Sequence, residues 1–226
     1  MKTLSEILLV LSSVILPASC FVFCCVRLRK NPSFAVGGIA CYGVFGIAAD
    51  RLFFGRFYMM DPAVYMISVS RPEQYLLFTS ACSSVLLIAG IYIIMKNISP
   101  AQLDSFTVIS FGCGFSAAQT LWRSGIGAVY MLATRQGYLY SARQLSFLAA
   151  GSLSLFAVGI CVCVLISENV LRGKAVYALL SLGILELCLY PASVDPAGAY
   201  CASVMIVSAI LGIMTSVYVL GKRRIL

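Results

Sequence analysis

Apolar and polar positions alternate in long blocks along this chain: seven apolar stretches are separated by short polar breaks. Each stretch is close to the roughly 20 residues that a helix needs to cross the hydrocarbon of a bilayer. The pattern predicts helices over residues 7–26, 33–54, 74–95, 106–132, 145–166, 175–189 and 197–220. The breaks have clear chemistry. Arg27-Leu28-Arg29-Lys30 stops the first stretch, Asp50 and Arg51 stand near the end of the second, and Lys96-Asn97 stops the third. Tyr190-Pro191 closes the short sixth stretch, and Lys222-Arg223-Arg224 closes the last. The fourth stretch is the least uniform. The longest connection, Arg56–Glu73, holds Tyr58, Tyr65, Asp61-Pro62 and Arg71-Pro72. It predicts a loop whose aromatic rings lie at headgroup level or cap a cavity. With no internal repeat and no low-complexity tract, residues 1–226 are expected to form one all-α integral membrane domain of about seven spans.

Composition sharpens this. Of 226 residues, 61% are hydrophobic and 11% charged, and mean hydropathy is +0.99. Soluble domains carry about 25% charged residues, so a soluble globule is excluded and any chemistry must sit in or beside the membrane. Histidine is absent. That removes Ser-His and Cys-His nucleophilic pairs and every His-ligated metal site. No cofactor and no metal are expected. The ten cysteines fall almost entirely in predicted spans, where they act as small apolar fillers, so a disulfide framework is not expected. Cys24-Cys25, at the end of the first span, is a place for S-acylation in a suitable host. Cys161 and Cys163 are two apart on a helix and point to different sides, so they are not a ligand pair.

The net charge of +8 reads as topology and lipid-headgroup contact rather than as a nucleic-acid surface. With the N-terminus outside, nine of the sixteen basic residues fall on the cytoplasmic side, including the tight stops at 27–30 and 222–224. Positive-inside bias therefore puts the C-terminus in the cytoplasm. Leu16-Pro17-Ala18-Ser19-Cys20 has a trace of a lipoprotein box, but the apolar run continues through Val26 and only Lys2 precedes it. An uncleaved first helix is expected. Asn97-Ile98-Ser99 fits a glycosylation sequon, but Pro100 follows it and this topology places it in the cytoplasm.

Charges within a span cost roughly 2.5–3.5 kcal/mol at a helix centre, so each one asks for a reason. Glu186 stands in the middle of the sixth stretch with few polar neighbours. It must be protonated, pair across the bundle, or face a wet cavity. The fourth stretch offers partners in Ser116, Gln119, Thr120 and Arg123, with Ser116, Gln119 and Arg123 near one helical face. A Glu186 contact with that face is one expectation; its simplest role is to fix helix packing. Asp50 and Arg51 can snorkel at the interface. The fourth stretch also carries a ladder of small residues, Ser110, Gly114 and Ala118, and a second beginning with Gly112 and Ser116. Such ladders let helix backbones approach closely, which places this helix at the centre of the bundle. Gly37, Gly38, Gly43 and Gly46 suggest close packing or a bend in the second helix.

The order of these features resembles the YhfC family of intramembrane proteases, and the architecture is similar to the seven-helix scaffold subunit of γ-secretase. The resemblance runs from Leu16-Pro17 and the basic stop after it, through Gly37-Gly38 and Phe45-Gly46, to Ser110-Phe111-Gly112-Cys113-Gly114-Phe115-Ser116-Ala117-Ala118-Gln119. In YhfC-like proteins the last stretch reads approximately G-x-G-H-G-x-x-E, and its His and Glu are the proposed catalytic pair. This chain keeps Gly112 and Gly114 but has Phe115 and Gln119 at the catalytic positions. A phenyl ring transfers no proton, and a carboxamide keeps the shape of Glu without its basicity. The family's acidic pair in the third helix is also missing from Ser83-Ser84-Val85-Leu86-Leu87. Laid on the γ-secretase scaffold, Glu186 falls where that protein has a histidine.

The resemblance implies a catalytically degenerate membrane pseudoenzyme that acts as a scaffold or binds substrate. Two other readings stay open. One is an active glutamic-type intramembrane protease built on Glu186, with Arg123 or Gln119 polarising the carbonyl. The other is a small-molecule transporter or its membrane binding subunit. The partners expected are the lipid bilayer and another membrane protein, not nucleic acid, in a bacterial cell membrane.

Overall fold

The computed structural model describes residues 2–27, 32–48, 62–98, 102–134 and 139–223. These residues are helical almost throughout and contain no strand. Helix α1 covers Lys2–Val26, α2 Pro32–Ile47, α3 Pro62–Ser70 and α4 Pro72–Asn97. Helix α5 begins as Ser105–Thr120 and continues through Leu121–Gly125 and Ile126–Ala133. Then come α6 (Ala142–Arg172), α7 (Ala175–Val194) and α8 (Ala199–Arg223). Five helices (α1, α4, α6, α7 and α8) are long and apolar enough to cross a membrane, and α2 is a shorter apolar helix. The chain is a helical membrane bundle.

Local chemistry explains where the helices start and stop. Asp104 caps α5 by accepting from the Thr107 N–H at 2.7 Å, which satisfies one of the orphan donors of the first turn. Ser141 and Gln144 form a reciprocal capping box at the head of α6, the arrangement in which each side chain satisfies the other's backbone. At its far end Arg172 pairs with Glu168 at 2.6 Å. Gly173 then takes up left-handed φ of 65°, and its N–H donates to Asn169 O at 2.8 Å. Only glycine enters that conformation without strain.

Two sequence expectations change here. The connection Arg56–Glu73 is not simply a loop: Pro62–Ser70 is helical, with Pro62 at a first position where its missing N–H costs nothing. Tyr58 and Asp61 lie outside the described residues, as do Asp50 and Arg51. The sixth predicted helix does not end at Leu189. It passes through Pro191 to Val194, with the Asp195 N–H donating to Pro191 O at 3.1 Å. Pro191 removes one backbone donor near the helix end, and packing against neighbours carries the last turn past it.

Helices α5 and α6 form the centre. Nearly every residue of α5 from Phe111 to Thr120 is buried, and 78% of the apolar window of α6 is enclosed by the rest of the bundle. Helix α6 packs against α1, α4, α5, α7 and α8, while α2 lies along α5. Helices α6 and α8 run parallel: a Cβ on Gly151 would meet Met205 Sδ at 3.3 Å, and further along a Cβ on Gly212 would meet Cys161 Sγ at 3.3 Å. The core between them is filled by Leu155, Val158, Val162, Ile184 and Leu185, among others. All ten cysteines are free thiols.

Helices α2 and α5 approach to backbone contact. A Cβ placed on Gly38 would run into Phe111 O and sit 2.6 Å from the Phe115 N, and one on Gly114 would run into Ala35 O. The two backbones touch because neither position has a side chain. Lipid tails are as apolar as leucine, so such contact and dispersion drive helix association where the hydrophobic effect does not. Gly38→Ala and Gly114→Ala should each destabilise the folded bundle by about 1–3 kcal/mol through overpacking. Gly43 and Gly183 face open space, so alanine there should be neutral or should stabilise by up to about 1 kcal/mol. Reversible unfolding in mixed micelles distinguishes the two pairs.

Candidate functional site

The polar residues of α5 lie on one stripe: Ser116, Gln119, Thr120, Arg123 and Ser124, at three- and four-residue spacing. The stripe runs from the buried middle of α5 toward its C-terminal end. Its upper part borders a cleft of about 540 Å³, a size that suits a small molecule. Trp122, Arg123 and Ser124 of α5 line it, with Leu155 of α6, Ser193 of α7 and Met205 of α8 opposite.

One turn deeper, Ser116, Gln119 and Thr120 are completely buried. Neither amide atom of Gln119, nor Ser116 Oγ, nor Thr120 Oγ1, has a hydrogen-bond partner among the described residues. Each such buried group costs about 1–3 kcal/mol, so four together are a large departure from ordinary packing. Space for them is made by α6. A Cβ on Gly159 would run into Ser116 Oγ and lie 2.9 Å from Gln119 Oε1.

Backbone irregularities gather at the same level. Helices α1, α2 and α5 each contain a widened π-type turn, at Leu11–Ile15, Tyr42–Ile47 and Leu121–Gly125. In α1 the Leu16 N–H reaches back to Leu11 O, and in α5 the Ile126 N–H reaches back to Leu121 O. The first and third of these turns pack together, and a Cβ on Gly125 would meet Ser13 O at 3.0 Å. The second provides Tyr42, whose hydroxyl accepts from Arg123 Nε at 3.4 Å. Such turns interrupt the regular ladder and recur at functional sites. In α1, Ser12 and Ser13 both donate to Leu9 O, at 3.0 and 2.6 Å; Leu9 also borders the cleft.

Phe115, at the position the YhfC-like pattern gives to histidine, is fully buried and stacks edge-on against Tyr42, with ring centroids 5.5 Å apart at 85°. Gln119, at the glutamate position, faces α6. Gly112, two turns earlier on the same face of α5, also approaches α6: a Cβ there would meet Ile160 Cα at 3.3 Å. Ser110 is buried as well, and Ala118 packs on the core.

Glu186 does not join this stripe. Its carboxylate accepts from two hydroxyls of α4, Ser80 Oγ on Oε1 and Ser84 Oγ on Oε2, the latter at 2.9 Å. The expected contact with Ser116, Gln119, Thr120 or Arg123 is therefore replaced by one with α4. The reason is the packing of α7, which lies against α4, α6 and α8 rather than along α5. Apolar periodicity marks which residues of a helix are inward but not which neighbour they meet. Ser80 and Ser84 are spaced as a pair on one face of α4, which is the only sign of them in the sequence. Among the described residues no three His, Cys, Asp or Glu side chains converge on a point where they could hold a metal.

No family model matches this chain, and neither a curated protein nor a solved structure does.

Proposed function

We propose that this chain is a substrate-binding membrane subunit without catalytic chemistry of its own, spanning a bacterial cell membrane seven times with its N-terminus outside. The two helices added to the five long apolar ones are α2 and α5. The observation that carries the binding role is the set of unsatisfied side chains Ser116, Gln119 and Thr120, one turn below the cleft. A chain selected only for stability would have no reason to keep four buried polar atoms without partners. A site that exchanges those missing bonds for bonds to a ligand would keep them. The cleft mixes apolar walls with a single guanidinium, which suits a small molecule with an apolar body and an anionic or strongly polar end. Phe115 and Gln119 support the pseudoenzyme reading, since neither moves a proton. The proteolytic alternative is less well supported, because both oxygens of Glu186 are held by serines on α4.

Two measurements test this. Purified protein in nanodiscs should be stabilised against heat by some members of a panel of small carboxylates and phosphate esters. Arg123→Gln should weaken that response by about 1.5–3 kcal/mol, roughly ten- to hundredfold in Kd. Gln119→Met should raise the stability of the ligand-free protein by about 1–3 kcal/mol while reducing the response to ligand. A flat response across the panel, or a Gln119→Met variant that is less stable than the parent, counts against the cleft as a binding site. The word subunit has its own test: crosslinking in native membranes, mild solubilisation and mass spectrometry should recover one membrane partner in fixed ratio. A clean monomer would refute it.

A further inference from the structure

The seam between α4 and α7 has no part in the proposed cleft, yet it holds a carboxylate midway along a membrane-spanning helix. Glu186 lies midway along α7, half-buried. Ser80 and Ser84, on consecutive turns of α4 and almost fully buried, give one hydroxyl to each carboxylate oxygen. These two neutral groups are its only partners among the described residues. Ser83, fully buried on the same side of α4, has a hydroxyl with no partner there at all.

Among the described residues no ion pair reaches Glu186; Arg123 of α5, whose charge is felt at Cys188 on α7, donates to Tyr42. Charged residues on the helices packed against α7 stand near helix ends: Glu73 and Lys96 on α4, and Arg143, Glu168 and Arg172 on α6. Those of α8 are in its last turn. Titratable thiols close in sequence, Cys82 on α4 and Cys188 on α7, are two residues from the site and so project away from it. On the other flank α6 and α8 bring Cys161 and the hydroxyl of Ser208, which donates to Ile184 O at 2.6 Å, but no cation.

A carboxylate midway along a membrane-spanning helix, with hydroxyl donors and no ion pair among the described residues, is suited to a small mobile cation. A serine hydroxyl can donate to the bare carboxylate, then rotate and offer its lone pairs to an ion held by that carboxylate. The same oxygens thus serve both states. We infer that Glu186, Ser80 and Ser84, with Ser83 beside them, form an exchangeable monovalent-cation site that takes a proton or sodium. This site shares no residue with the cleft, so either can fail without the other.

The test is carbodiimide labelling of the full chain in nanodiscs, read by peptide mass spectrometry, with Glu186→Gln as the specificity control. Carbodiimide adds to a carboxyl group in its protonated form. Labelling at Glu186 that slows in alkaline buffer but ignores sodium identifies the ion as a proton. Labelling that sodium also slows identifies sodium; at about ten times its dissociation constant only about a tenth of sites stay open, a roughly tenfold slowing. In that case Ser80→Ala combined with Ser84→Ala should keep the labelling and lose the sodium effect. If Glu186 stays unlabelled under all conditions, or its labelling responds to neither pH nor sodium, the inference is wrong.

Discussion

Backbone contact between α2 and α5, possible only because Gly38 and Gly114 lack side chains, fixes how the other helices close around α5. Helix α5 could not face lipid. It carries Ser116, Gln119, Thr120 and Arg123 along one side, and a bilayer offers these groups no hydrogen bonds. They are tolerated because other helices surround them. Helix α2 covers one flank at van der Waals contact, α6 covers another through Gly112 and Gly159, and α1 closes part of the remainder. The long burial of α6 follows from this, since the helix that shields α5 is in turn enclosed by α1, α4, α7 and α8. Glycine therefore has two distinct uses here. At Gly38 and Gly114 it brings backbones together, whereas at Gly159 it leaves room beside a polar side chain.

The widened turns in α1, α2 and α5 belong to the same economy of space. Each admits one extra residue per turn, which shifts the register of the side chains beyond it. In α5 the shift falls at Leu121–Gly125, directly after the buried polar cluster, and residues of this turn themselves border the cleft. In α2 it falls at Tyr42, the residue that both stacks on Phe115 and accepts from Arg123. A chain packing only for stability would favour regular ladders in three adjacent helices. Their coincidence with Arg123 ties local irregularity to a partly buried cation.

Much of the helical layout could be read from hydropathy, because the bilayer enforces a length and a sharp polar boundary on each span. Centrality of the fourth predicted helix was legible from Ser110, Gly112, Gly114 and Ala118, since small residues in register have few other uses in a membrane. The helix Pro62–Ser70 escaped because nine residues are too few for a span signal, and paired prolines read as loop even where Pro62 opens a helix. Pro191 misled for the opposite reason: a proline near a helix end costs one hydrogen bond, not a whole turn. Choice of partner was the least legible feature. Glu186 announced itself as a problem, but the answer lay in Ser80 and Ser84, and serines in apolar helices are common and usually bond to their own backbone, as Ser154 and Ser181 do here.

Helix α7 links the two polar regions. Ala192 and Ser193 stand on the cleft wall, and Glu186, about two turns away, stands on the α4 seam. A rigid helix transmits a tilt along its length, so a change in how α4 holds Glu186 would move the cleft wall. By linkage, if a cation on Glu186 alters affinity in the cleft, a ligand in the cleft must alter affinity for the cation by the same factor. Such reciprocity is what ion-driven binding or transport requires, and a static scaffold would have no use for it. In the proposed arrangement Glu186 would act through its charge state and its place on α7.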